Sequence, residues 1–174
     1  MRNSIARFSL MLSLLAATCA LTACACNLEG NGDARFQGPT PLGQAASVGD
    51  YEVSAILVVD PFSPTSKTSF SKDYQAGRTR LIGVEVEVAN QSKREALSIN
   101  SLRWQLFDDA SRNHTAVYPG NYVKQPAISE TVLTPGNRVR GWITFELPAD
   151  ARAHRVQFRE DFLSDRVAEF LISP

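Results

Sequence analysis

The chain has 174 residues, and its 18 Lys+Arg balance its 18 Asp+Glu. Two of the basic residues, Arg2 and Arg7, precede Cys24 and no acidic residue does. Residues 24–174 therefore carry a formal charge of −2, which excludes the broad basic excess that holds nucleic acid by counterion release. All three cysteines, Cys19, Cys24 and Cys26, lie near the start, so the remainder is no disulfide scaffold.

The first element is a targeting segment. Arg2 and Arg7 stand at its start, an apolar run follows from Phe8 through Leu21, and the small residues Thr22 and Ala23 precede Cys24. Early positive charge, an apolar stretch too short to span a membrane comfortably and a small-residue end are the layout of a secretory signal. With Leu21 three places before the cysteine, Leu21-Thr22-Ala23-Cys24 resembles the lipobox of bacterial lipoprotein signal peptides. That resemblance implies lipidation of Cys24, cleavage ahead of it, and a membrane anchor on the extracytoplasmic face. Three alternatives stay open: lipidation at Cys26, plain secretion after a small-x-small site such as Ala17-Thr18-Cys19 or Ala20-Leu21-Thr22, or a retained membrane helix. The expected organisation is a signal over 1–23, a lipidated Cys and flexible linker over 24–48, and one domain over 49–174. Gly, Pro, Asn and Gln dominate the linker, and no apolar period survives in it.

From Tyr51 the texture changes to alternation. Tyr51, Val53, Ala55, Leu57 and Val59 share one parity, which predicts a half-buried strand ended by Pro61 and Pro64. Thr65 to Thr79 reads as a long loop. In Leu81–Asn90, Ile82, Val84, Val86 and Val88 point inward and Glu85 and Glu87 outward. Across 96–107 the parity changes, which predicts a break near Asn100-Ser101. Trp104, flanked by Leu102 and Leu106, suits the space between two sheets. A hairpin turn is expected over 108–113 and a short strand over 114–118. Thr134-Pro135-Gly136-Asn137 is a turn signal, leading into a strand with Val139, Gly141, Ile143, Phe145 and Leu147 inward. Strands over 155–159 and 167–172 complete seven or eight, with no convincing helix. The pattern predicts an all-β, antiparallel two-sheet β-sandwich, with a barrel around a ligand cavity as the alternative.

Several runs carry a further resemblance: Val-Ala-Asn-Gln-Ser at 88–92, Leu-Phe-Asp-Asp at 106–109, Val-Tyr-Pro at 117–119, and Leu-Thr-Pro-Gly-Asn-Arg-Val-Arg-Gly-Trp-Ile-Thr-Phe-Glu-Leu-Pro at 133–148. They resemble the immunoglobulin-like domain of unknown function found in many bacterial surface lipoproteins. That family is similar in fold to a secreted immunoprotective antigen of mycobacteria. The resemblance covers about Gly49 to Ile172 and implies an immunoglobulin-like sandwich in an exported context. It carries no catalytic residues. A telomeric-repeat-binding label sometimes attached to the family implies no nucleic-acid partner here, given the charge of −2.

No residue set points to catalysis. The domain's two histidines, His114 and His154, read as surface residues, and no Gly-x-Ser-x-Gly occurs. Both methionines lie before Cys24, so no thioether site for Cu(I) is expected. Asp108, Asp109 and Asn113, with Asp60 or Asp73, offer oxygens for a hard cation but match no calcium-loop spacing. They read as turn formers. Glu85 and Glu87 read as solvating an outer face. No enzyme activity, metal or cofactor is expected. The most distinctive feature is Arg138, Arg140 and Trp142 on the outward parity of one strand, with Arg103 on the outward parity of another. Exposed together, they form a candidate binding patch for a protein or an envelope polymer. Covered by a loop, Trp142 is structural and the arginines solvate an edge. Two functions follow: a membrane-anchored domain that binds through a sheet face or the loops 60–79 and 119–134, or an accessory envelope lipoprotein without a small-molecule ligand.

Overall fold

The computed structural model describes residues 38–64, 72–117 and 124–172. The signal, Cys24, most of the expected linker and the Pro119-Gly120 stop lie outside the described residues. Eleven strands run in chain order among them: β1 (Thr40–Pro41), β2 (Ala45–Val48), β3 (Tyr51–Phe62), β4 (Thr79–Asn90), β5 (Leu97–Ile99), β6 (Trp104–Asp108), β7 (Asn113–Thr115), β8 (Thr131–Leu133), β9 (Arg138–Pro148), β10 (Ala153–Arg159) and β11 (Val167–Leu171). One helical turn, α1 (Lys72–Gln75), interrupts the expected 65–79 loop, and a 3-10 turn spans Ser101–Arg103. A five-stranded sheet in the order β1-β11-β10-β6-β7 packs on a four-stranded sheet in the order β2-β3-β4-β9, and β5 pairs with β8 alone. Strand pairing is antiparallel except between β1 and β11. The chain is the predicted immunoglobulin-like sandwich, with two separate sheets rather than one closed barrel.

β4 and β9 set the inner face of the four-stranded sheet. Their register pairs Ile82 with Phe145 and Val84 with Ile143, so the β-branched side chains of one strand meet large apolar ones of the next. Ile82, Val84, Val86, Val88 and Phe145 are fully buried. Opposite them, β6 and β10 contribute Trp104, Leu106, Val156 and Phe158. Trp104 tilts against Phe158 at 5.1 Å between centroids, and Phe158 meets the edge of Tyr51 from β3 at 5.3 Å. This aromatic chain crosses from one sheet to the other, and Tyr51 Oη closes it by donating to Ser98 O (3.1 Å). Trp104 thus fills the intersheet space as expected.

Three expectations need correction. The domain begins before Gly49: β1 and β2 lie within the stretch taken as linker, and Ala46 and Val48 are buried. Gly49 takes φ +56° in the β2–β3 turn, a left-handed value that favours glycine. Secondly, β3 changes parity. Its register shifts between Ala55 and Leu57, so Val58 pairs with Val84 on the inner side while Leu57 turns outward, 49% exposed. A second shift between Val59 and Phe62 absorbs Pro61, so the strand runs through the proline where the ladder is already broken. Thirdly, Leu102 is not a core neighbour of Trp104, because the break expected near Asn100-Ser101 takes the form of the 3-10 turn. Asn100 Oδ1 caps it by accepting from Leu102 N (3.0 Å), and Leu102 stands exposed rather than beside Trp104 in the core.

The Asn-Gln-Ser run after β4 has a specific use. Asn90 is buried; its Nδ2 donates to Glu95 O and Leu133 O (both 2.8 Å), and its Oδ1 accepts from Ser92 N (2.8 Å). Gly136 N donates to Asn90 O (2.9 Å), and Gly136 at φ +78° completes the Pro-Gly turn into β9.

Candidate functional site

Arg138 and Arg140 project from β9 onto the outer face of the four-stranded sheet, as their parity predicts. Each reaches diagonally across to β4. Arg138 Nη1 donates to Glu87 Oε1 (3.0 Å) and Arg140 Nε to Glu85 Oε1 (2.9 Å). The hydrogen bond from Arg140 holds the Glu85 carboxyl below its ordinary range. The two guanidiniums are exposed, but their charge is locally matched by carboxylates.

Trp142 shares that face and is only 8% exposed. Two things cover it. The segment 126–128 lies on the edge of β9, with Trp142 N donating to Pro126 O (2.8 Å) and Ile128 N donating to Trp142 O (3.0 Å). The Lys124 side chain then crosses the indole, with Nζ 4.3 Å from its centroid and 5.7 Å from that of Phe62. It passes directly over Gly83, where an added Cβ would meet Lys124 Cδ at 3.2 Å and Trp142 Cε3 at 3.3 Å. The expected 119–134 binding loop is thus tied down over its second half. It also blunts the β9 edge, which Val117 N further covers by donating to Thr144 O (2.7 Å).

Arg103 does not join Arg138 and Arg140. It ends the 3-10 turn ahead of β6 in the other sheet, and its guanidinium carbon lies 5.4 Å from the Tyr51 centroid. Its Nε and Nη1 are buried without a hydrogen-bond acceptor among the described residues. The four-residue patch is therefore divided: one covered Trp, two ion-paired arginines, and one arginine packed on an aromatic ring elsewhere.

The acidic and histidine candidates also separate. Asp60 forms a two-point pair with Arg80 (2.7 and 2.9 Å), and Asp73 pairs with Arg78. Asp108 is fully buried at the mouth of the β6–β7 hairpin. Its Oδ1 accepts from Ala110 N (3.0 Å) and Arg112 N (2.8 Å), and its Oδ2 accepts from Arg112 Nε (2.7 Å). His114 Nε2 lies 3.0 Å from the same Oδ2. Burial opposes ionisation of Asp108, but the bonds from His114 and from the Arg112 backbone and guanidinium outweigh it and keep the carboxyl ionised well below the usual range. One carboxylate thus binds both sides of a five-residue turn. His114 also lines an open cleft of about 450 Å³ with Asp73, Thr79, Asn113 and Glu146, where Thr79 Oγ1 donates to Glu146 Oε1. Among the described residues, no three His, Cys, Asp or Glu side chains converge as a metal site.

A sequence profile for a domain of unknown function, DUF4352, matches residues 40–168. The chain belongs to the DUF4352 family. Its match starts at Thr40, where β1 starts, so profile and structure agree that the domain opens ahead of Gly49. Among solved structures, the DUF4352 domain is similar to ycdA of Bacillus subtilis, a candidate lipoprotein, with 16% identity and a TM-score of 0.57. The match covers 74% of this chain but 38% of ycdA, so this chain spans well under half of that protein. It is also similar to yjhA of B. subtilis, with 15% identity and TM-score 0.56 over 76% of this chain and 98% of that one. MPT63, a secreted protein of Mycobacterium tuberculosis, matches with 12% identity and TM-score 0.52 over 78% and 99%. These likenesses establish the fold. No protein of curated function matches the sequence.

Two structural features of the DUF4352 domain depend on tertiary contacts. Lys124 sat in a weakly patterned stretch, and nothing local announces that it crosses two aromatics 18 and 62 residues away. The Asp108 clamp was half-visible: Asp and Asn in a hairpin turn are expected, but the burial of Asp108 under His114 is tertiary.

Proposed function

We propose that this chain is a lipid-anchored envelope protein, acylated and cleaved at Cys24, whose DUF4352 domain is a non-enzymatic accessory module on the extracytoplasmic face of a membrane. The observation that carries the reading is the Leu21-Thr22-Ala23-Cys24 sequence placed only sixteen residues ahead of Thr40, where β1 and the family match begin. The secreted and candidate-lipoprotein character of MPT63 and ycdA supports it. An accessory role is favoured over capture of a small ligand because Trp142 is covered and Arg138 and Arg140 are matched by Glu87 and Glu85. Partners are then proteins or polymers of the envelope, met over broad surfaces.

Intact-mass measurement of the protein extracted from membranes tests the anchor. The expected mass is that of a chain beginning at Cys24 plus acyl groups, lost in Cys24→Ala and kept in Cys26→Ala. An unacylated chain, or acylation surviving Cys24→Ala, overturns the anchor. Co-purification compared between wild type and Arg138→Ser/Arg140→Ser tests the role. Unchanged partners are expected; loss of a partner restores the binding patch.

A further inference from the structure

Among the described residues, the loop between β10 and β11 carries two of the five exposed large apolar side chains. Phe162 is 63% exposed and Leu163 is 98% exposed, side by side at its tip. Single exposed apolar residues are ordinary on a protein surface, but an adjacent Phe-Leu pair held outward by an ordered loop is not. The order is built from the polar residues around the pair. Asp161 Oδ1 accepts from Leu163 N and Ser164 N (both 2.7 Å), Ser164 Oγ accepts from Arg166 N (3.0 Å), and Glu160 N donates to Arg166 O (3.2 Å). Glu160 packs against Gly49, whose missing Cβ would meet Glu160 Oε1 at 1.9 Å. The N–H groups of Leu163, Ser164 and Arg166 are thus paired within the loop, which lowers the cost of moving the tip out of water.

The position of this loop gives it a partner. β11 leaves the loop at Val167, and β1 pairs with it in parallel, Thr40 beside Phe170 and Pro41 beside Leu171. Traced backward from Thr40, the chain therefore heads along β11 toward the loop. Cys24 is fourteen residues before Gly38, a stretch that reaches at most ~50 Å fully extended. Leu102, 46% exposed in the 3-10 turn ahead of Trp104, stands at the same end, because Trp104 pairs with Phe158 just before the loop.

We propose that the 160–166 loop is a second membrane contact, in which Phe162 and Leu163 enter the interfacial layer of the bilayer and set the domain loop-end down on the lipid. The inference rests on the anchoring reading above. A tether this short keeps the loop at high effective concentration near the bilayer, so a weak apolar contact suffices. The contact is apolar rather than electrostatic. Arg159 and Arg166 are offset by Glu160, Asp161 and Asp165, so the segment attracts no anionic headgroup by net charge.

The test uses the acylated protein reconstituted into phosphatidylethanolamine/phosphatidylglycerol vesicles containing dibrominated lipid, with Leu163→Trp compared against Ala110→Trp in the β6–β7 turn at the far end. Intact mass, read first, reports the acyl chain; its absence overturns the anchoring reading and the tether argument with it. With the acyl chain present, loss of most of the position-163 emission and none of the position-110 emission is expected, persisting in vesicles of brominated phosphatidylcholine and at high salt. Equal emission from both positions overturns the docking alone. Quenching that vanishes in phosphatidylcholine overturns the apolar contact. Cross-linking of position 163 to a protein without quenching overturns the bilayer as occupant. Phe162→Ser/Leu163→Ser, at exposed positions, keeps the fold by near-ultraviolet circular dichroism. In the acylated protein on the same vesicles it is expected to raise cleavage of the 160–166 loop by added protease, and unchanged protection relative to wild type overturns the docking.

Discussion

Lys124 lies across the face of Trp142, its Nζ 4.3 Å from the indole centroid, and together with the 126–128 segment it covers the ring on the outer sheet face. Lys124→Ala is expected to red-shift the tryptophan emission, raise its acrylamide quenching and cost about 0.5–1 kcal/mol in urea unfolding. Trp104 is fully buried, so the change reports Trp142. Lys124→Met keeps the aliphatic cover and loses the charge. It should restore the shielding but not all of the stability.

Gly141 tests the covering segment from the backbone side. A Cβ there would stand 2.7 Å from Pro126 O, a backbone atom, and 3.1 Å from Ile128 Cγ1. Gly141→Ala is expected to push the 126–128 segment off β9 and to cost about 1–3 kcal/mol by urea unfolding. Gly38→Ala, with nothing within 4 Å, is the control and should leave the midpoint unchanged.

Asp108 makes stability depend on pH. Its carboxyl is ordinarily half-ionised near 3.8, and in the folded protein its pKa is depressed by His114 and Arg112 against the opposing effect of burial. A depressed folded-state value means that its contribution is complete above the unfolded value and is lost as pH falls from about 4 toward the folded value. Asp108→Asn should therefore cost about 1.5–3 kcal/mol near pH 7. The gap from wild type should narrow steadily below about pH 4 in urea midpoints taken at stepped pH. A gap that stays constant to strongly acidic pH refutes the ionised clamp.

Among the described residues, Trp104 is the largest fully buried side chain, and its indole Nε1 finds no hydrogen-bond partner there. Trp104→Ala is expected to cost about 3–5 kcal/mol through the void left beside Phe158. Trp104→Phe should cost well under half of that, because the smaller void is offset by loss of a buried unpaired donor. Calorimetric melting of the two variants checks the order.

The fold was legible because its signals are local. The valine alternation of β4, the Thr-Pro-Gly-Asn turn and the parity break before Trp104 each follow from strand period and turn chemistry within a few residues. What was hidden is tertiary. Leu57 has the sequence parity of a core residue, and only the slip against Glu85 shows that β3 has turned over. β1 and β2 were hidden inside Gly, Pro and Gln composition, since two- and four-residue strands are too short to show a period. The patch of Arg138, Arg140, Trp142 and Arg103 was half-legible. Parity placed the β9 side chains on the outer face correctly, but parity cannot say that Lys124 crosses Trp142 or that Arg103 belongs to a different neighbourhood.

The parallel pairing of β1 with β11 also decides how the domain takes a pull. Tension arriving through the N-terminal chain runs along the strand axis at Thr40, so the hydrogen bonds beside Phe170 and Leu171 are loaded together rather than opened one by one. Behind them, Gly43 N holds Ala55 O at 2.7 Å and β2 is laced to β3. A tug on the N-terminus therefore meets sideways sliding against a sheet edge before it can peel the first strand away.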